Sequence, residues 1–281
     1  MIFNHTPIEL YKIDNHIVYV KREDKIVSDN GPTFSKIRGL IPVLSRLKQA
    51  GFIHIGYTET NISMAGWGVA WACKKIGLKC IIFDPQYKTK QPLLDFHRNQ
   101  WREFEAEIIP IQAGRAKVNW YISKKKLKNK YKNSYLLPLG LKFPETIDAT
   151  YEEAIWTRAN SKIKFNTIIL CIGSGTIGAG VIKAFNDAKI YGIITRSCNV
   201  QNKIHHIEDI GGFTQNGFFK RDFELIDEGW EYTERSNIEQ LFPCHPWYDL
   251  KAWEWLLNNI NKLKKPILFW NIGALPKEFK G

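Results

Sequence analysis

Apolar positions fall into short runs that alternate with helical stripes. The runs Ile17–Val20, Phe52–Tyr57, Cys80–Phe83, Ala106–Ile109, Tyr135–Leu137, Thr167–Ile172, Tyr191–Ile194 and Pro266–Trp270 predict strands. Thr167–Ile172 is the clearest, an unbroken apolar run ending at glycine. Helical spacing marks Ser35–Ala50, where Ile37, Leu40, Ile41, Leu44 and Leu47 share one face. It also marks Met64–Ile76, closed by Gly77, and then Thr150–Ser161, Gly178–Ala188 and Trp247–Leu263. A lysine-rich helix covers Ser123–Lys132. Strands separated by helices imply an α/β protein with mostly parallel sheet covered on both faces. Such sheets take ligands at the carboxyl ends of their strands.

Composition narrows this picture. The chain has 281 residues, 44% hydrophobic and 24% charged, which suits one large or two modest globular domains. The amino terminus has no basic segment followed by an apolar one, and no apolar run approaches the roughly 18 residues of a membrane span, so a cytoplasmic protein is expected. Five scattered cysteines, with no C-x-x-C pair, fit a reducing compartment and argue against a metal site. The 40 Lys and Arg against 28 Asp and Glu leave a charge of +12. That excess, concentrated in SKKKLKNKYK, is either a solvated helix face or a contact for a polyanion through Lys124–Lys132.

The segment TIILCIGSGTIGAGVIKAF reads as strand, glycine turn and helix, with Gly173, Gly175 and Gly178 spelling G-x-G-x-x-G. Glycines allow close backbone approach to an anion, and the free N–H groups opening the helix hold it. A dinucleotide site would place an acid at the tip of the next strand, about 20 residues on. This chain has Thr195, Arg196 and Ser197 there. Arg196 suits a 2′-phosphate, so an NADP-dependent oxidoreductase stays open. The loop alone says phosphate.

Other segments point further. TPIELYKIDNHIVYVKREDK followed by NGPTFSKIRGL resembles the opening of fold-type II pyridoxal-phosphate enzymes, the tryptophan synthase β superfamily. The nearest resemblance is to the 1-aminocyclopropane-1-carboxylate deaminase and D-cysteine desulfhydrase branch. Lys21, Arg22, Glu23 and Asp24 match its K-R-E/D piece, and Lys36 with Arg38 its G-x-K-x-R helix start. SMAGWGVAWACKKIGLKCIIF, GSGTIGAG, HPWYDLKAW and PILFWNIGALP are similar to further family segments, in the family's order across nearly the whole chain.

The resemblance implies a two-domain, three-layer αβα fold with mostly parallel twisted sheets. The large cofactor domain would be residues 1–39 plus 135–281, and residues 40–134 a smaller domain closing over substrate. It implies pyridoxal 5′-phosphate held as a Schiff base on Lys36, with Gly173, Ser174, Gly175, Thr176 and Gly178 on the phosphate. Desolvation and nearby cations would lower the Lys36 pKa, making it nucleophile and then base. Asp249 would face the pyridine nitrogen and keep it protonated, favouring carbanion chemistry at Cα: deamination, decarboxylation or racemisation, with a lyase, deaminase or decarboxylase as the leading expectation. Tyr248 is a candidate acid/base. Ser63 is a candidate catalytic and substrate contact beside Thr60 and Asn61, although a helix cap explains Ser63 equally well. A homodimer is the family's usual form.

Four departures alter the surroundings. Met64 stands for an asparagine, Ile272 and Ala274 for a threonine and a glycine of the last turn, and His245 for an acid. They spare the lysine, the loop and the carboxylate, so the expectation is retained cofactor and changed substrate. With the positive charge, this suggests an amino-acid group attached to a polyanion, for instance a modified DNA base, as in virus-encoded relatives linked to base hypermodification. The basic helix would then track phosphates. A non-catalytic nucleic-acid-binding protein on an enzyme fold is the remaining alternative.

Overall fold

The structure, a computed structural model, describes residues 3–26, 31–212, 222–276 and 279. Asn30, of the turn before Lys36, lies outside them. In chain order the elements are β1 (Ile8–Ile13), β2 (His16–Arg22), α1 (Ile37–Gln49), β3 (His54–Thr58), α2 (Ala65–Ile76), β4 (Lys79–Gln86), α3 (Pro92–Glu103), β5 (Glu107–Gln112), α4 (Ala116–Lys130) and β6 (Ser134–Leu136). They continue with α5 (Pro144–Asn160), β7 (Thr167–Ile172), α6 (Thr176–Ala184), β8 (Lys189–Ile194), α7 (Val200–Gly211), β9 (Phe223–Ile226), α8 (Asp249–Asn259) and β10 (Ile267–Asn271).

These strands form two sheets. One has the order β1-β2-β10-β7-β8-β9, the other β5-β4-β3-β6. Every pairing is parallel except β1 with β2, a hairpin whose tight turn contains Asp14 at φ 49°. Helices α5 and α6 pack on one face of the larger sheet and α8 on the other, giving the three-layer mixed α/β fold expected from the sequence. Strand β6 pairs with β3, so the smaller sheet reaches Leu136, just past the boundary read after residue 134.

Burial explains which elements were legible. All six residues of β7 are buried, so its apolar run is unbroken. The stripe of α1 is buried as drawn, from Ile37 to Leu47. Helix α2 is buried continuously from Ala65 to Cys73, and Trp71 and Trp101 lie fully inside the same cluster. Helices α3 and α7 and the strands β1 and β9 were not expected: each has an exposed side that blurs the pattern. Helix α5 starts earlier than Thr150, at Pro144, where a proline at the first position needs no hydrogen-bond donor. Helix α8 is shorter than Trp247–Leu263, and α6 ends at Ala184 rather than Ala188.

A buried ionic network ties β2, α1 and α5 together. Arg38 donates to both Glu23 oxygens, at 3.0 and 2.9 Å, and Lys21 Nζ donates to Glu153 Oε1 at 2.5 Å. All four side chains are buried. Beside this network, Arg22 pairs with Asp24, and Asn271 of β10 donates to Asp24 at 2.9 Å, tying this second pair to the sheet's centre.

Candidate active site

The carboxyl ends of both sheets open on one cavity of about 960 Å³. Lys36 reaches it from the residue just before α1. The preceding segment is fastened to the chain's last turn: Ser35 N–H donates to Ile272 O at 2.8 Å, and Ala274 N–H to Thr33 O at 3.0 Å. Its Nζ donates to Gly140 O at 2.6 Å and to Ser174 Oγ at 3.0 Å. Burial draws the Lys36 amine down to about 8, and the ammonium groups of Lys142 and Lys203 push the same way.

Ser174 belongs to the glycine loop between β7 and α6. Gly175 sits at φ 92°, a left-handed conformation that a side chain would oppose. A Cβ on Gly178 would lie 2.5 Å from Ile172 Cδ1, so glycine is needed for the helix to start this close to the strand. Ser174 Oγ and Thr176 Oγ1 lie 3.0 Å apart beside the first turn of α6, where N–H groups point outward. Lys203 donates to Gly173 O at 2.9 Å, and Lys142 lines the same wall. Burial and Lys203 lower the Lys142 amine. Two ammonium groups beside a helix amino terminus are unfavourable without an anion.

Asp249 opens α8 and is fully buried against the cavity. Its Oδ1 accepts from Ile272 N–H at 2.7 Å, with Cys171 Sγ at 3.7 Å, whereas Oδ2 has no partner among the described residues. Burial pushes this carboxyl well above the usual carboxylate range. An orphaned, buried carboxylate oxygen needs a donor or a cation. Ile272 therefore serves through its main chain, holding Asp249 with its N–H and Ser35 with its C=O, which is why a side-chain departure there is tolerated.

The remaining expected residues line the same cavity. Ser63 Oγ accepts from Ala65 N–H at 3.0 Å in the turn ahead of α2, whose N-cap position is Met64, and lies beside Glu59. Thr60 Oγ1 and Tyr232 OH lie 2.9 Å apart, and Tyr232 OH is 3.4 Å from Tyr248 OH. Asn61 turns its amide to Gln91 at 3.4 Å. His245 is buried, and burial pulls its ring down to about 3, so it is neutral; its carbonyl accepts from Tyr248 and Leu250 N–H and so anchors the start of α8. Met64 packs at the wall.

Sequence reasoning missed several wall residues. Glu59 is buried and accepts from Thr60 N–H at 2.9 Å and Gly66 N–H at 2.5 Å; burial still raises it to about 8. Tyr57, Tyr87 and Tyr232 complete a tyrosine wall with Tyr248. Glu59, next to Thr60 in TETN, was within reach of the sequence reading. Tyr232 was not, because its loop has no periodicity.

A lysine over a glycine loop, with an unpartnered buried carboxylate oxygen of Asp249 on the same cavity, fits a cofactor that carries a phosphate and a basic ring nitrogen. Residues 3–227 match the family described as pyridoxal-phosphate dependent enzyme, and the chain belongs to that family. It is 37% identical over 288 positions to a "Glycyl-dTMP PLP-dependent decarboxylase" from Pseudomonas phage M6, covering 97% of this chain and 100% of the relative. A solved 1-aminocyclopropane-1-carboxylate (ACC) deaminase homologue superposes with a TM-score of 0.79 at 20% identity, over 98% of this chain and 91% of that one. A hydrogen sulfide-producing enzyme from Fusobacterium nucleatum gives 0.68 at 17% identity, over 98% and 96%. The protein is thus a pyridoxal-phosphate-dependent enzyme, and the NADP and non-catalytic readings fall away. No group of the described His, Cys, Asp and Glu residues is placed to hold a metal, and no described helix is long and apolar enough to cross a membrane.

Proposed function

We propose that the enzyme decarboxylates, at Cα, an amino-acid group carried on a thymidine nucleotide. The observation that carries the reading is the meeting of Lys36, the glycine loop and Asp249 Oδ2 in one cavity. The choice of decarboxylation and of a nucleotide-borne substrate is supported by full-length similarity to the glycyl-dTMP decarboxylase.

When bound, pyridoxal phosphate supplies an aldehyde carbon that captures amines and a ring that accepts the electron pair released at Cα. Lys36 is the amine that anchors it, and its lowered basicity lets it act both as nucleophile and as proton carrier. Gly173, Ser174, Gly175, Thr176 and Gly178 would hold the cofactor's phosphate, and Asp249, whose Oδ2 has no partner among the described residues, would pair with the protonated ring nitrogen. Thr60, Asn61 and Ser63 orient the substrate. Loss of CO2 breaks the Cα–carboxyl bond and leaves its electron pair at Cα, where a proton must be added. Tyr248 and Lys36 are the groups proposed to hold that proton. Lys124–Lys132, which run along α4 and just past its end at Lys130, are proposed to contact DNA, and the assembly to be a homodimer, which light scattering measures.

The test is direct. Purified protein supplied with pyridoxal phosphate should show a visible absorbance band that borohydride removes, and should release CO2 from glycyl-dTMP. A colourless protein, or a band that survives in Lys36→Ala, would end this reading.

A further inference from the structure

The mouth of the cavity carries cations that the cofactor does not explain. Lys142 and Lys203 sit at the glycine loop, where a cofactor phosphate accounts for them. Arg115 and Lys117, at the start of α4, and Arg196, just past β8, also line the cavity, and all three are exposed. None has an ion-pair partner among the described residues. They follow strands of two different sheets, β5 and β8, and among the described residues the one exposed carboxylate on the shared wall is Glu231.

The lip at α4 has the other marks of a ligand contact. Asn119 is buried and lines the cavity, yet its Oδ1 accepts no hydrogen bond from the described residues. Tyr121, 57% exposed, presents its ring to solvent one turn from Lys117, and Lys124 and Lys128 continue the helical spacing. Exposed aromatic surface interleaved with cations suits a nucleic-acid strand, whose bases stack and whose phosphates pair. A lone nucleotide has one phosphate. Three unpaired mouth cations with a basic stripe leading away from them exceed that need.

We propose that the substrate nucleotide is presented on a polynucleotide strand: Arg115, Lys117 and Arg196 grip the phosphates flanking it at the mouth, and the strand leaves along α4 over Tyr121. The proposal deepens the decarboxylase reading and rests on it for the identity of the reacting group. The tyrosine wall then receives the modified base. The lysine run seen in the sequence is the far part of this track, and the gripping residues precede it.

The experiment measures anisotropy of a fluorescein-labelled single-stranded oligodeoxynucleotide bound by holoenzyme across a salt series. The triple variant Arg115→Ala, Lys117→Ala, Arg196→Ala should bind at least tenfold more weakly. It should also lose about 2 from the slope of log affinity against log salt, as expected for three phosphate contacts on a single strand. Lys262→Ala, Lys264→Ala, Lys265→Ala removes the same charge at the amino-terminal edge of the sheet and should bind within twofold of wild type. Equal losses in both variants, or no binding by wild type at low salt, overturn the proposal. CO2 release by wild type is compared on glycyl-dTMP and on an oligonucleotide carrying the same group. A tenfold or greater advantage for the oligonucleotide, vanishing in high salt, supports the strand; equal rates at all salts overturn it. If neither substrate yields CO2, the decarboxylase reading fails, and the anisotropy result still judges the strand separately.

Discussion

Two charged regions lie within a few residues of each other and behave oppositely. Around Arg38, every cation meets a carboxylate: Glu23 takes both arms of Arg38, and Glu153 takes Lys21. Around Lys36, two residues earlier in the chain, the charges are left open. Lys36 donates to neutral acceptors, Asp249 Oδ2 has no described partner, and Lys142 and Lys203 crowd one loop. A buried charge that is fully paired within the protein can only hold structure. A buried charge left unpaired costs stability unless something else completes it. The first region is a frame and the second is a receptor, and the Lys36-x-Arg38 spacing joins them.

That contrast can be broken by substitution, beginning with the largest effect. Lys36→Ala should abolish the visible band and lower CO2 release by at least about 10⁴-fold. Its urea midpoint should hold or rise, because a poorly solvated amine is removed. In the frame, Glu153→Ala should instead cost about 3–5 kcal/mol of unfolding free energy by stranding Lys21. Surviving molecules should still bind cofactor. If Lys36→Ala unfolds the protein and Glu153→Ala does not, frame and receptor have been assigned the wrong way round.

Asp249→Asn comes next. It should retain the colour and cut turnover about 10²-fold, since an amide no longer favours a protonated ring nitrogen. Single-turnover CO2 release reads this directly.

Glu59 gives a pH test with a definite sign. Its folded pKa is raised from 4.5 to about 8, so the folded state binds more protons than the unfolded one in that window. Stability contributed through Glu59 is therefore lost as pH rises from about 4.5 to about 8. In denaturant titrations of apoprotein, Glu59→Gln should gain on wild type by up to about 1.4 kcal/mol per pH unit across that window. Parallel curves would show Glu59 to be ionised. The smallest effect belongs to Lys203→Gln, which should weaken cofactor binding by roughly three- to tenfold through one lost charge-assisted contact. Equilibrium dialysis measures it.

Legibility followed the same division. Short-range patterns gave the frame: the apolar run of β7, the stripe of α1 and the glycine turn carry their reasons within a few residues. Lys36 and Asp249 were picked out by resemblance and the glycine loop by its own spacing, and the fold brings all three to one cavity. What stayed hidden is contact between distant segments. Tyr232 meets Thr60 from 172 residues away, and nothing in its own neighbourhood signals this. Lys142 and Lys203 looked like two of many lysines until the fold placed them beside one loop. Strand β1 alternates between half-buried and exposed positions, so its periodicity is too weak to read.

The position of β10 has one more consequence. This last strand inserts between β2 and β7, and the turn after it clasps the segment that carries Lys36. On the ribosome, β2 must wait until residues 267–271 have been made before this neighbour arrives. Cofactor capture would then report that β10 and its turn had been made, and a nascent chain halted before residue 267 would stay colourless however long it waited.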